Sequence, residues 1–185
     1  MTKPNPANPT LSISRPDLAS ALEQIGAEIE HQPLRSSALA RIMRETFHGS
    51  DAGGTWDWRM AYDLMQATAV QALLRGDNSE DDYYAAKLLA SRLLTETRRS
   101  EQQIRLQQFS TPLPFAALTV RAAAIRKGET VLEPSAGTGA PAAFAARAGA
   151  TLLLNEIDPF RQRLLRAVFG GEVTGHDGEH IDDLL

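Results

Sequence analysis

Cysteine is absent from the 185 residues. The chain therefore has no disulfide, no thiolate zinc site and no cysteine nucleophile. Lysine is nearly absent as well, standing only at Lys3, Lys87 and Lys127, so arginine carries most of the positive charge. There is no basic excess: 19 Lys and Arg face 23 Asp and Glu, a net charge of −4. That excludes a strongly basic nucleic-acid module but leaves room for a local basic face. No run of 18 apolar residues occurs, so no membrane-spanning helix is expected. Met1–Pro9 is polar and proline-rich and lacks the apolar stretch of a secretory signal, so a cytoplasmic location is expected. The hydrophobic share of 43% is that of a globular chain and excludes a wholly disordered or collagen-like one.

Residues 1–15 carry three prolines and read as a disordered tail. Residues 16–108 read as helix after helix. Pro16 and Asp17 suit a first turn, and Leu18, Leu22, Ile25 and Ile29 follow at helical spacing. A second helix is predicted over Leu34–Phe47, then a glycine loop. A third carries Tyr62, Met65, Ala69 and Leu73 on one face and stops at Gly76. A fourth starts near Ser79, with Glu80, Asp81 and Asp82 in its first turn and a break near Ser100. Trp56 and Trp58, and likewise Tyr83 and Tyr84, read as anchors into a core. Arginines such as Arg98, Arg99, Arg105, Arg161, Arg163 and Arg166 read as a solvated face, with phosphate contact as the functional alternative.

From residue 109 to 185 the pattern changes to α/β. Thr111 and Pro112 suit a helix start, with Phe115, Leu118, Ala122 and Ile125 as its apolar face and Lys127-Gly128 as its end. Strands are predicted at Thr130–Glu133, Thr151–Asn155 and Glu172–Thr174, with helices between them. The second strand is apolar along its length, as strands covered on both faces are. This alternation predicts a parallel sheet with right-handed crossovers.

The chemistry concentrates in Val131-Leu132-Glu133-Pro134-Ser135-Ala136-Gly137-Thr138-Gly139. Gly137 and Gly139 allow a sharp turn and close approach of a ligand. Glycines alone fit an ordinary α/β turn equally well, and Gly137–Ala142 also resembles a dinucleotide fingerprint. Glu156 lies 17 residues past Gly139, at the tip of the second strand, where an acid can accept hydrogen bonds from ribose hydroxyls. Glu133 separates the candidates. A carboxylate beside the loop repels a pyrophosphate and attracts the cationic methionine end of S-adenosylmethionine. His176 and His180 stand four apart, but Gly178 weakens a helix between them and no third ligand is evident, so no metal site is assigned.

Residues 107–158 resemble the S-adenosylmethionine-binding part of adenine-N6 DNA methyltransferases. The F-x-T-P motif of that family matches Phe109-Ser110-Thr111-Pro112, and its L-E-P-S-x-G-x-G loop matches Leu132–Gly139. Its ribose-binding acid matches Glu156 within Asn155-Glu156-Ile157-Asp158-Pro159, and its next motif resembles His176-Asp177. Residues 35–185 resemble more closely the strawberry-notch-like proteins, which join a methyltransferase-like to a helicase-like domain. The resemblance implies a partial Rossmann-like methyltransferase fold, the first strands of a parallel sheet, after an all-helical N-terminal region. It implies S-adenosylmethionine as cofactor, held by Phe109, Thr111, Glu133, Pro134, Ser135, Ala136, Gly137, Thr138, Gly139, Glu156, Ile157 and Asp177. Asp177 also fits a solvated loop acid.

The family's catalytic N/D-P-P-Y/F/W motif does not occur in these residues. That motif binds the target amino group and stacks on a flipped base. The resemblance therefore implies cofactor binding without methyl transfer by this chain, as a truncated product or a fragment of a larger protein. DNA, the remaining methyltransferase half and a helicase-like domain are the implied partners. The open edge of the first strand implies self-association. Two alternatives stand beside this reading: a non-catalytic cofactor- or DNA-binding module, and an NAD-dependent oxidoreductase fragment.

Overall fold

The computed structural model describes residues 14–77, 81–96 and 110–183. The expected tail to residue 13, the helix start at Ser79 and Glu80, the break near Ser100, the arginines 98, 99 and 105, and Phe109 lie outside them. The architecture is mixed α/β, mostly helical, with a small three-stranded parallel sheet. Helix α1 spans Arg15–His31, α2 Ser36–Thr46, α3 Trp58–Arg75 and α4 Asp82–Arg92. After them come α5 (Leu113–Ala123), β1 (Thr130–Glu133), α6 (Ala140–Arg147), β2 (Thr151–Asn155), α7 (Pro159–Phe169), β3 (Val173–Thr174) and a kinked 3₁₀ segment, Gly178–Asp183. No helix among the described residues is long and apolar enough to cross a membrane.

Local chemistry sets most of these boundaries. Ser14 caps α1 by accepting from the Asp17 amide, so Arg15 belongs to the helix rather than to the tail. Asp57, Asp81 and Asp158 cap α3, α4 and α7 in the same way. Gly170 ends α7 in the left-handed conformation. The strands fall at 130–133, 151–155 and 173–174 in the order β1-β2-β3. Register pairs Glu133 with Leu154 and Asn155 with Thr174, so all three strands finish at one end of the sheet.

Helix α3 is the axis of the molecule. It is buried nearly all round, not on a single stripe. One side packs with Leu22, Ile25 and Ile29 of α1, Leu39 and Ile42 of α2, and Phe160 and Leu164 of α7. Its C-terminal half, Ala69, Val70 and Leu73, packs with α4, α5 and α6. Ala142 of α6 and Leu165 of α7 then cover Leu154 and Val173 of the sheet. Arg147 of α6 bonds Asp82 at 2.7 Å and the carbonyls of Leu73, Gly76 and Asp77, closing the end of α3. The helical region and the α/β region are thus joined by shared cores across the expected boundary at residue 108.

Three surface expectations fail for one reason, the direction from which neighbours arrive. Helix α5 buries Leu113, Ala116 and Ala117, while Phe115 is 64% exposed and Leu118 is exposed too. Apolar residues surround this helix, and the alanine side wins because it fits closely against alanine-rich α6. Its end also comes early, at Ala124 in the left-handed conformation rather than at Lys127-Gly128. Strand β2 is covered on one face only: α6 and α7 both lie over Leu154, and Leu153 on the other face is 47% exposed. Trp56 is buried, with its indole N–H on the Gly49 carbonyl, but Tyr84 is exposed.

Phe160 is the plainest test of the shared core. It is fully buried among α1–α3 although it belongs to α7. Phe160→Ala should cost about 3–5 kcal/mol, read by urea unfolding. Far-UV signal and tryptophan fluorescence should shift together, since Trp56 lies in the same core. Two separate transitions would count against the shared core.

Candidate functional site

The loops that leave the three strands meet at one end of the sheet, and Asn155 fixes them. This buried side chain donates from Nδ2 to the carbonyls of Pro134 and His176, each at 2.9 Å. Its Oδ1 accepts from the His176 amide and from the Thr174 hydroxyl. The Ala136 amide donates to the Asn155 carbonyl. One amide side chain therefore ties the loop after β1 to the segment after β3.

Gly137 and Gly139 have φ of 58° and 92°, conformations that a side chain disfavours. Their surroundings differ. A Cβ on Gly139 would lie 2.6 Å from Cε2 of Phe169, so close packing by α7 requires this glycine, not a ligand. A Cβ on Gly137 would meet only the Arg161 guanidinium, 4.0 Å away. Of the two glycines, only Gly137 has room beside it for a side chain. Thr138 is buried, and its hydroxyl donates to Oε1 of Gln66 on α3 at 2.9 Å.

Beneath the loop, charged groups are taken out of water in pairs. Arg59 Nη1 bonds Asp158 Oδ2 at 2.6 Å, and Arg161 bonds Asp63 Oδ1 at 2.8 Å. All four side chains are buried. Burial raises the Asp63 carboxyl, outweighing the pull of Arg161, and its Oδ2 has no hydrogen-bond partner among the described residues. Burial also acts on Asp158. There the hydrogen bond and charge of Arg59, with the Arg161 and Phe160 amides, win and hold it below the usual carboxylate range. Arg161 is thus no solvated arginine.

Glu156 is 4% exposed. Its Oε2 accepts from the Gly137 amide at 2.7 Å and its Oε1 from the Asp158 amide at 2.8 Å. Burial raises its carboxyl despite these bonds and the nearby Arg161 charge. The acid that the sequence places at an open strand tip is in fact the floor of the loop. Ile157 beside it is exposed.

Glu133 is different. It is partly buried at the tip of β1, accepts no hydrogen bond from the described residues, and is raised by burial alone. Pro134 and Ser135 are exposed, and Ala136 is buried. Asp177 is exposed and accepts from the Glu179 amide in a tight turn. Thr111 is exposed and makes no cap; α5 starts after Pro112. Thr111 lines a cleft of about 480 Å³ with Ser110, Gln66, Glu96 and Thr138, and Glu133 is outside that lining. Gln66 also donates to Glu96. The structure brings Thr111 to Thr138, and Glu133, Glu156 and Asp177 to the ends of adjacent strands.

Sequence reasoning missed Asp63, Arg59, Gln66 and the bonding role of Asn155. The charged partners are separated by 98 and 99 residues, so no local spacing reveals them. Asn155 left a faint signal, a polar residue ending an apolar strand. No protein-family model, no curated protein and no solved structure matches the chain.

Two outcomes test this geometry. Asp63→Ala removes the carboxylate that faces the buried Arg161 and should cost about 3–5 kcal/mol, measured by denaturant unfolding. Glu133→Gln should instead stabilise at neutral pH. A carboxyl raised on folding keeps its proton longer in the folded state, so stability falls as pH rises from its unfolded value through its raised folded one. Thermal melts should show the variant above wild type at pH 7, with the gap closing below about pH 4. A less stable variant at pH 7 would refute the desolvated carboxylate.

Proposed function

We propose that the chain is the S-adenosylmethionine-binding portion of an adenine-N6 DNA methyltransferase-like protein, related to the strawberry-notch-like methyltransferase/helicase proteins and located in the cytoplasm. The observation that carries the reading is Glu133, a desolvated carboxylate without a hydrogen-bond donor at the end of the first strand, four residues before the open position at Gly137. A cation is the partner that such a group lacks. The ammonium and sulfonium of the methyl donor supply positive charge, and a dinucleotide pyrophosphate does not. On this reading the βαβαβ segment is the first half of a Rossmann-like domain.

The chain's own residues bind and orient. Glu133 holds the amino group of the methionine end. The backbone of Ser135–Gly139 lines the ligand, with Thr138 kept rigid by Gln66. Thr111 closes the side next to the cleft, and the family pattern adds Phe109 to the binding residues. Ile157 offers an exposed apolar face to the adenine ring, and Asp177 accepts from its amino group. Glu156 is the acid for the ribose. Because its carboxylate is covered, it must turn from the Gly137 amide to reach the hydroxyls. S-adenosylmethionine supplies an electrophilic methyl group on a sulfonium. The residues that would hold a target base, N/D-P-P-aromatic, do not occur among the 185, so transfer belongs to a longer protein with DNA and a helicase-like domain as partners. Strand β1 pairs only with β2 among the described residues, and its free edge is where the rest of the sheet, or a second copy, would add.

Isothermal titration with S-adenosylhomocysteine should show binding, with NAD inert. Glu133→Gln should weaken it at least about tenfold, the value of one charge-assisted hydrogen bond. Binding of NAD in preference, or unchanged affinity in the variant, would overturn the reading.

A further inference from the structure

Five charged side chains lie closed off beneath the glycine loop: Arg59 and Asp63 on α3, Glu156 after β2, and Asp158 and Arg161 at the start of α7, none more than 6% exposed. Three carboxyls face two guanidiniums, so this buried group is one positive charge short among the described residues. Arg163 adds its charge only from the rim, partly buried over the Phe160 ring, where it feels Asp158. Helices α1 and α2 meet α3 through apolar side chains. The three carboxyls are not equivalent. Asp158 accepts from Arg59 on Oδ2 and from the Phe160 and Arg161 amides on Oδ1. Glu156 accepts an amide on each oxygen. On Asp63 both Arg161 donors, Nε at 3.1 Å and Nη2 at 2.8 Å, converge on Oδ1. Oδ2 of Asp63 is buried and accepts nothing from the described residues. Of the three carboxyls, only Asp63 offers an oxygen that a proton can join without displacing one of these donors.

We propose that Asp63 is a proton-operated latch on the glycine loop: a proton bound at its Oδ2 turns the charge of Arg161 from Asp63 toward Glu156 and draws Glu156 off the Gly137 amide. Solvent supplies the proton, one O–H bond forms, no covalent bond breaks, and the net charge of the five buried groups goes from −1 to zero. A buried group with unbalanced charge takes up a proton more readily than one whose charges cancel. A metal ion is a poorer answer, because two guanidiniums occupy the site and no metal-binding group of side chains occurs among the described residues. With Asp63 neutral, Oδ1 still accepts from Arg161, but the bond loses the help of an anionic acceptor. Asp158 is already matched by Arg59. The carboxylate left for Arg161 is Glu156, whose field already acts on it. Arg161 stands close enough to matter: its Nη1 is 4.0 Å from the place a Gly137 Cβ would take, and Glu156 holds the Gly137 amide. Burial raises the Asp63 carboxyl, so its proton binds above the ordinary carboxylate range. Burial raises Glu156 too, but its two amide donors favour the charged form, so Asp63 takes the proton first. Folding therefore favours protonated Asp63, and that contribution fades as pH rises through the raised value. The latch belongs to the unliganded chain and holds whichever ligand the loop takes.

The test is a pH titration of the full chain by nuclear magnetic resonance, from about pH 8 to about pH 4, with labelled carboxyl carbons and amide nitrogens. The Asp63 carboxyl should take its proton before those of Glu156 and Asp158, and the Gly137 amide should move with the Asp63 midpoint. Asp63→Asn keeps the shape of the side chain and does not ionise. It should hold the Gly137 amide at the wild-type acid position across the whole range. Glu172→Gln removes an exposed acid outside the cluster and should leave the midpoint where it is. A Gly137 amide that stays still, that follows the Glu156 carboxyl instead, or that still titrates in Asp63→Asn would overturn the latch. Should Asp63→Asn fail to fold, the wild-type carboxyl midpoints decide alone: the latch stands if Asp63 titrates first and the Gly137 amide follows it, and falls otherwise.

Discussion

Two crossed ion pairs, Arg59 with Asp158 and Asp63 with Arg161, hold the α3 helix to the α7 helix where no water reaches them. Burying four charges is costly, and the cost is offset only while each guanidinium faces its carboxylate. A shift of α3 by one turn against α7 would separate both pairs at once. The pairs therefore fix one register between the helical region and the sheet, which apolar packing alone specifies less sharply. Everything at the C-terminal end of the strands inherits that register.

The inheritance can be followed atom by atom. Arg161 lies beside Glu156, Glu156 holds the Gly137 amide, and Gln66 on the same α3 holds the Thr138 hydroxyl. On the far side Asn155 ties Pro134 to His176. Gly139 is pressed by Phe169 from below. The loop is thus held from three directions before any ligand is considered. Such preorganisation is what a binding loop needs, because ordering a floppy loop on binding consumes affinity. Against this background Glu133 stands out. It accepts no hydrogen bond from the described residues, and burial alone raises its carboxyl.

The contrast between the two glycines sharpens the point. Both adopt a left-handed conformation, yet Gly139 serves helix packing and Gly137 leaves space. Their equivalence in the motif conceals a division of labour. Likewise Glu156 is legible as an acid at the end of β2, but its neighbours turn it into a structural support. The N-terminal helices are also recast: α3 is the wall on which the loop rests.

Strands β1 and β2, the helix start at Asp158, the stop at Gly170 and the core positions of α1 were all readable along the chain. Each depends on contacts within a few residues: an alternation, a capping side chain, a glycine that tolerates positive φ. The loop motif was readable for the same reason. What the sequence could not settle was which side of α5 is buried, that β2 is covered on one face only, and that Arg161 faces Asp63 rather than solvent. Apolar residues surround α5, so local pattern is silent about which alanines meet α6. The charged pairs join residues about a hundred positions apart. The sequence by itself determined the elements and the chemical inventory of the loop. Tertiary packing alone decided which faces and charges are covered, because burial depends on what the rest of the chain brings alongside.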